Sequence, residues 1–182
     1  MDRAYLFTSD PVGFRQGTPE DSASFRQMDA DPEMREFFPF VLTEKQSDEL
    51  QYWCHKHIVD FGYGFFAVDQ LSTGHFIGFT GCKNTNFDAD FMPAVVIGWS
   101  LDNRFWDQGL ASEGAESTLN YVFRDFPADN IVYFTACRNK RSERVTQKLD
   151  MHFQGDFEHP RVHESSGLRK HVLYSLNKYF TA

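Results

Sequence analysis

The sequence is poor in cysteine, with Cys54, Cys82 and Cys137 the only thiols in 182 residues. They are widely spaced and odd in number, which excludes a disulfide framework and points to reduced thiols in a cytoplasmic protein. Runs of about 18 consecutive apolar residues are also missing, so no membrane-spanning helix is predicted. The opening stretch, "MDRAYLFTSDPVGF", lacks the apolar core of a secretory leader. Basic residues are in deficit, 18 Lys and Arg against 26 Asp and Glu, for a formal net charge of −8. A general nucleic-acid binder, whose affinity comes from cations on phosphates, is therefore not expected. The acidic balance suits a cationic or amine partner. No internal repeat, low-complexity tract or linker divides the chain. With 41% hydrophobic residues and 20 phenylalanines it can build one substantial core, so a single domain over residues 1–182 is expected.

Strand-like and helix-like patterns alternate along it. After a short strand near residues 12–16, "TPEDSASFRQMDAD" opens with Thr18, Pro19 in a first turn and acids behind it, a helix start. "LTEKQSDELQYWCHKHIVDFG" repeats the logic. Thr43 is the N-cap, Gln46 follows three residues on, Leu50, Trp53, His57 and Ile58 fall roughly on one face, and Gly62 is the stop. The runs "YGFFAVDQ", "HFIGFTGC" and "AVVIGWSL", with Gly74 in the first turn, read as three strands joined by short turns and hence antiparallel. From 111 to 126, Ala115, Leu119, Val122 and Phe126 keep helical spacing. "NIVYFTACR" reads as a buried strand, "NKRSERVTQKL" as a helix capped by Asn139, and "MHFQGDFE" and "LRKHVLYSLN" as closing strands.

The stretch "WDQGLASEGA", residues 106–115, follows the strand "AVVIGWSL" and opens a helix through two small residues, Gly109 and Ala111. A helix start offers unpaired N–H groups and the positive end of a dipole, which suits a phosphate. Side chains larger than glycine at the first small position would hinder backbone approach, so the N–H groups of Gln108, Gly109, Leu110, Ala111 and Ser112 can converge on it. An ordinary helix N-terminus would carry the same pattern. The Lys-Ser or Lys-Thr pair of a P-loop is missing, as is an early dinucleotide fingerprint. Cys54, His55 and His57 in "CHKH" match no standard zinc spacing and do not share one helical face, so no metal is expected.

In this order and spacing, "DADPEMREFFPFVLT", "IGWSL", "WDQGLASEGA", "NKRSERVTQKLDM" and "FEHP…LRKHVLY" make the chain resemble the GNAT superfamily of acyl-CoA-dependent N-acetyltransferases. Within it the chain is similar to the ribosomal-protein N-terminal acetyltransferases, and the resemblance covers nearly all 182 residues. The resemblance implies an α/β fold with a mixed, mostly antiparallel, splayed sheet flanked by helices. It makes the expected phosphate the pyrophosphate of coenzyme A, with acetyl-CoA as acetyl donor and an amine-bearing acceptor, a small molecule or a protein N-terminus. It places main-chain contacts to the pantetheine arm at Trp99 and Leu101, a cofactor contact at Asn139, and a proton donor to the departing sulfur at the Ser142 hydroxyl. Read plainly, "NKRS" is helix capping and Trp99 is core.

The chain departs from the family where relatives commonly carry Glu two residues before Gly-Trp, for here that residue is Val96. A carboxylate base at that site is absent. An α-amine of pKa about 8 is partly neutral near pH 7, whereas a lysine amine of about 10.4 is almost wholly charged, so a weakly basic acceptor is favoured. Glu158 and His159 are alternative bases, or else members of a surface turn before Pro160. Asp150 replaces a usual glycine at a left-handed helix end. "EFFPF" walls the acceptor pocket or belongs to the core, and Arg138, Lys140 or Arg141 can meet the cofactor's outer phosphate. A catalytically silent acyl-CoA-binding module remains the alternative, and monomer and homodimer are both open.

Overall fold

The computed structural model describes residues 4–178; residues 1–3 of the opening stretch, and 179–182, lie outside the described residues. Eight strands form one sheet: β1 (Phe7–Ser9), β2 (Val12–Arg15), β3 (Phe65–Gln70), β4 (His75–Thr85), β5 (Ala94–Leu101), β6 (Asn130–Ala136), β7 (His152–Glu158) and β8 (Lys170–Asn177). Their spatial order is β1-β2-β3-β4-β5-β6-β8-β7. All neighbours are antiparallel except β5 and β6. That parallel pair is joined only at Val95–Ile131 and Val96–Val132. Beyond those two positions the strands part, and the remainder of β5, Ile97 to Leu101, has ladder partners only on its β4 side.

Adjacent residues of a strand project to opposite faces, and the helices divide accordingly. Phe79 of β4 stacks on Phe25 of α1 (Ser22–Ala30) at 5.4 Å, which puts α1, with α2 (Glu44–Phe61) packed beside it, on one face. A Cβ at Gly114 of α3 (Leu110–Asp125) would lie 3.4 Å from Thr80, so α3 covers the other face. There Val12, Phe14, Ile97, Leu119 and Val122 form part of the buried core. α4 (Lys140–Lys148) follows β6.

Local chemistry sets the helix ends as anticipated. Thr43 and Gln46 form a reciprocal capping box, and Gly62, at φ 79°, stops α2 with its N–H on the Ile58 carbonyl. Asn139 Oδ1 accepts from the Ser142 N–H at 3.2 Å, and Asp150 takes the left-handed conformation at φ 53°. Four features differ from the pattern reading. β1 had no distinct signal, being only three residues long. The Thr18–Pro19 start first makes a 3-10 turn, Pro19–Asp21, before α1. Phe126 lies just past the end of α3, where it packs on Tyr63 and Tyr121. Of the four residues assigned to the inner face of α2, Ile58 is buried but Trp53 is 60% exposed, because that part of the helix overlooks a cleft. No helix among the described residues is long and apolar enough to cross a membrane.

Candidate active site

The parting of β5 from β6 opens a cleft of about 840 Å³, a size typical of small-molecule sites. At one end lies the turn into α3. Asp107 and Gly109 both have positive φ, 58° and 82°, and Gly109 is the N-cap. The first helical bond runs from Glu113 N–H to the Gly109 carbonyl, so the N–H groups of Leu110, Ala111 and Ser112 stand outside the helix ladder at the cleft wall. A Cβ at Gly109 would meet no protein atom within 4 Å. The glycine is therefore required by its left-handed backbone, and within the protein itself there is room for a side chain. Gln108 does not line the cleft; it is exposed, and its amide donates to the Arg104 carbonyl.

The β5 wall carries Trp99 and Leu101. Trp99 stacks on Tyr133 of β6 at 4.4 Å, bridging the gap just beyond the last ladder pair. The Leu101 carbonyl is already engaged by the Trp106 indole N–H at 2.6 Å, and the Arg141 guanidinium lies 3.9 Å above the Trp106 ring. Arg144 and Lys148 of α4 also line the cleft. Lys140 is instead paired with Glu143, and Arg138 is outside the cleft lining.

Across the gap, Asn139 and Ser142 begin α4. Asn139 caps through its carbonyl oxygen and donates from Nδ2 to Thr135 Oγ1 at 3.0 Å. The cap uses the backbone N–H of Ser142, which leaves its hydroxyl for other work. Tyr133 is buried, which pushes its phenol up to about 12, while the neighbouring Ser142 and Thr135 hydroxyls pull the other way. Tyr133, Thr135 and Ser142 thus form one hydroxyl group facing the parting. Sequence reading took "NIVYFTACR" for core alone and missed the first two.

The far end is walled by Phe37, Phe38 and Pro39 of "EFFPF", with Trp53, Cys54 and Phe65. His159 lies here, its ring 4.7 Å from Phe87 and 5.0 Å from His171. Burial, reinforced by His171 and Arg161, drives its pKa down to about 4. Nδ1 of His159 accepts the Arg161 N–H at 3.2 Å, so the neutral ring carries its proton on Nε2. His171 has the opposite tautomer, because Nδ1 lies 3.0 Å from the Arg169 carbonyl and must donate to it. Its pKa is lowered by burial. Glu158 is not brought to the cleft; it is exposed and bound to Arg169 at 2.9 Å. Val96 is buried at the last ladder pair, as its apolar side chain requires.

His57 is fully used within the fold, Nδ1 donating to the Tyr63 carbonyl (2.7 Å) and Nε2 accepting the Asn84 N–H (3.0 Å). Among the described residues no group of three His, Cys, Asp or Glu is arranged to hold a metal.

The sequence model of the acetyltransferase (GNAT) domain matches residues 12–152. Among solved structures, a GNAT-family acetyltransferase from Bacillus anthracis superposes with a TM-score of 0.79 at 19% identity, covering 97% of this chain and 99% of its own. A ribosomal-protein alpha-N-acetyltransferase in complex with coenzyme A superposes at 0.76 with 13% identity over 96% and 98%. The spermidine N-acetyltransferase of Vibrio cholerae, in complex with coenzyme A and spermine, gives 0.76 at 14% over 94% and 98%.

Proposed function

The chain belongs to the GNAT acetyltransferase family and resembles its ribosomal-protein branch, and from that premise we propose that it transfers acetyl from acetyl-CoA to a primary amine within a ternary complex. In this reading, residues 1–182 are one acetyltransferase domain in the cytoplasm. The observation that carries it is the parted β5–β6 edge ending at the open N-terminus of α3. The donor supplies a thioester, whose carbonyl carbon is attacked by the amine nitrogen as the C–S bond breaks and the sulfur gains a proton.

The residues fit that donor. N–H groups at Leu110, Ala111 and Ser112, with the helix dipole behind them, suit a pyrophosphate. Arg141, Arg144 and Lys148 supply cations beside it. The free edge of β5 at Trp99 and Leu101 offers main-chain partners to an extended amide chain, while the Trp106 contact holds the Leu101 carbonyl in place. In this reading Ser142, beside Tyr133, protonates the sulfur, and Asn139 fixes the start of the helix that carries it.

Replacing Gly109 with Val puts a β-branched residue at φ 82°, a conformation that costs about 1–3 kcal/mol for a non-glycine residue. The turn should rearrange, and acetyl-CoA affinity measured by calorimetry should fall about tenfold or more with the fold retained. Equal affinities would remove this turn from the site. The function itself is tested by free-thiol release against peptides of varied N-terminus, polyamines, aminoglycosides and amino acids. Acetyl-CoA binding with no release for any amine would identify an acyl-CoA-binding module instead.

A pH profile addresses the missing base. His159, with its pKa at about 4, is neutral across the working range, and its unprotonated nitrogen is occupied. We expect kcat/KM to rise with pH with a midpoint that follows the acceptor's own amine, compared between two acceptors of different pKa. The pairing also separates the amine from Lys83, whose pKa is lowered by burial, since only the acceptor's midpoint moves with the acceptor. A limb well below the acceptor's amine that ignores the acceptor and vanishes in His159→Ala or Glu158→Gln would name that residue as the base.

A further inference from the structure

Lys83 of β4 sits opposite Val96 of β5 in the antiparallel register, so the two side chains project to the same face. That face is the one carrying α1 and α2, since Phe79, on the same side of β4, stacks on Phe25. Where relatives place a carboxylate, this chain thus presents an apolar valine with an ammonium beside it. The ammonium points into the cleft, 5.8 Å from the centre of the Phe65 ring. Crowding by the protein lowers its pKa, and the Arg161 charge lowers it further against the opposing Cys54 thiol. No carboxylate among the described residues pairs with Lys83 or Arg161. Arg161 donates to the Asn86 carbonyl at 2.7 Å and lies over Phe87. The acids that do line the cleft are engaged or distant. Asp60 pairs with Lys56, Glu33 accepts from Asn103, and Asp107 belongs to the turn before Gly109.

Lys83 and Arg161 both line an aromatic-walled cleft, both are exposed to its solvent, and with no carboxylate of the protein on either they are available to an anion that enters it. Resting on the acetyltransferase reading, we propose that the acceptor carries a carboxylate beside its reactive amine, and that Lys83, with Arg161, receives that carboxylate. The arrangement serves the reaction in a second way. A cationic neighbourhood disfavours an ammonium and so favours the neutral amine that attacks, which offsets the lack of a carboxylate base at Val96. On this proposal the net charge of −8 is not presented at this end of the cleft, and among amines a polycation is the wrong partner for it.

The test is kcat/KM by free-thiol release for matched acceptors. Peptides beginning with Asp or Glu are compared with Asn or Gln, free amino acids with their amides, and spermine serves as the polycation. The acidic member should win by about tenfold or more in at least one series, because a charge-assisted hydrogen bond is stronger than a neutral one. The winning series tells a side-chain carboxylate from an α-carboxylate. Lys83→Met should collapse the ratio to within about twofold, and Lys83→Arg should keep most of it. No acid preference, a preference that survives Lys83→Met, or spermine as the best acceptor would overturn the proposal. Calorimetry of acetyl-CoA binding to wild type keeps the two readings apart. Loss of that binding defeats the acetyltransferase assignment, whereas intact binding without transfer to any acidic acceptor defeats the carboxylate proposal alone.

Discussion

Ser142→Ala should lower turnover by about ten- to a thousand-fold while leaving acetyl-CoA affinity within about twofold, the signature of a proton donor used in the transition state and not in binding. The structure sharpens this expectation. Asn139 caps α4 through the Ser142 backbone N–H, a contact alanine retains, so the melting temperature should hardly move. Asn139→Ala should show the converse, a loss of about 1 kcal/mol of stability. Tyr133→Phe removes the phenol beside the Ser142 hydroxyl and should also slow turnover. If the two hydroxyls act as one unit, the double variant should be little slower than the worse single one. Unaltered turnover in Ser142→Ala, with loss confined to Tyr133→Phe, would transfer the role to the tyrosine.

The second large effect is expected far from the cleft. Arg15 at the end of β2 makes paired contacts to two acids, with Nε and Nη2 on Asp69 at 2.7 and 2.8 Å and Nη1 and Nη2 on Asp21 at 2.6 and 2.8 Å. All three side chains are buried, and they tie β2 to β3 and to the 3-10 turn before α1. Arg15→Met strands two carboxylates in the interior and should cost about 3–5 kcal/mol in urea unfolding. Adding Asp21→Asn and Asp69→Asn should restore much of that, since neutral amides do not demand a counter-ion. The pH sign follows from Asp21. Burial would raise its pKa, but the Arg15 and Thr18 hydrogen bonds outweigh it and hold the carboxyl below its ordinary value. Its contribution is therefore complete above the unfolded pKa of about 3.9 and is lost as pH falls through the lower folded value. A wild-type acid limb that persists unchanged in the triple variant would refute this account.

How much of this was legible in the sequence depends on the kind of information each feature carries. Caps and turns are written locally, so Thr43, Gln46, Gly62, Asn139 and the small-residue entry to α3 were read at their true positions. Strand order near the centre followed from short turns. Cross-strand facts were not readable, because they depend on register between segments far apart in sequence. Nothing near Lys83 in the chain announces that it opposes Val96, and nothing in "NIVYFTACR" tells the Tyr133 hydroxyl from core packing. Glu158 and His159 show the same limit from the other side. They are neighbours in sequence, but strand alternation sends Glu158 out to Arg169 and His159 in among Phe87, Phe134 and His171.

The gap between β5 and β6 is made of main chain. What it offers is a row of amides and carbonyls left over when two strands stop pairing after Val96 and Val132, and every residue but proline carries the same amide and carbonyl. Recognition of that kind leaves almost no imprint on composition. Side chains along Ile97–Leu101 answer to core packing at Ile97 and Leu101 and to the Trp99–Tyr133 contact, not to the chemistry of a ligand at the open edge. The part of the cleft proposed to hold the donor can therefore diverge in sequence without changing its task. Specificity, by contrast, has to be inscribed in individual side chains at the other end, where a single exchange of charge is enough to select a different guest.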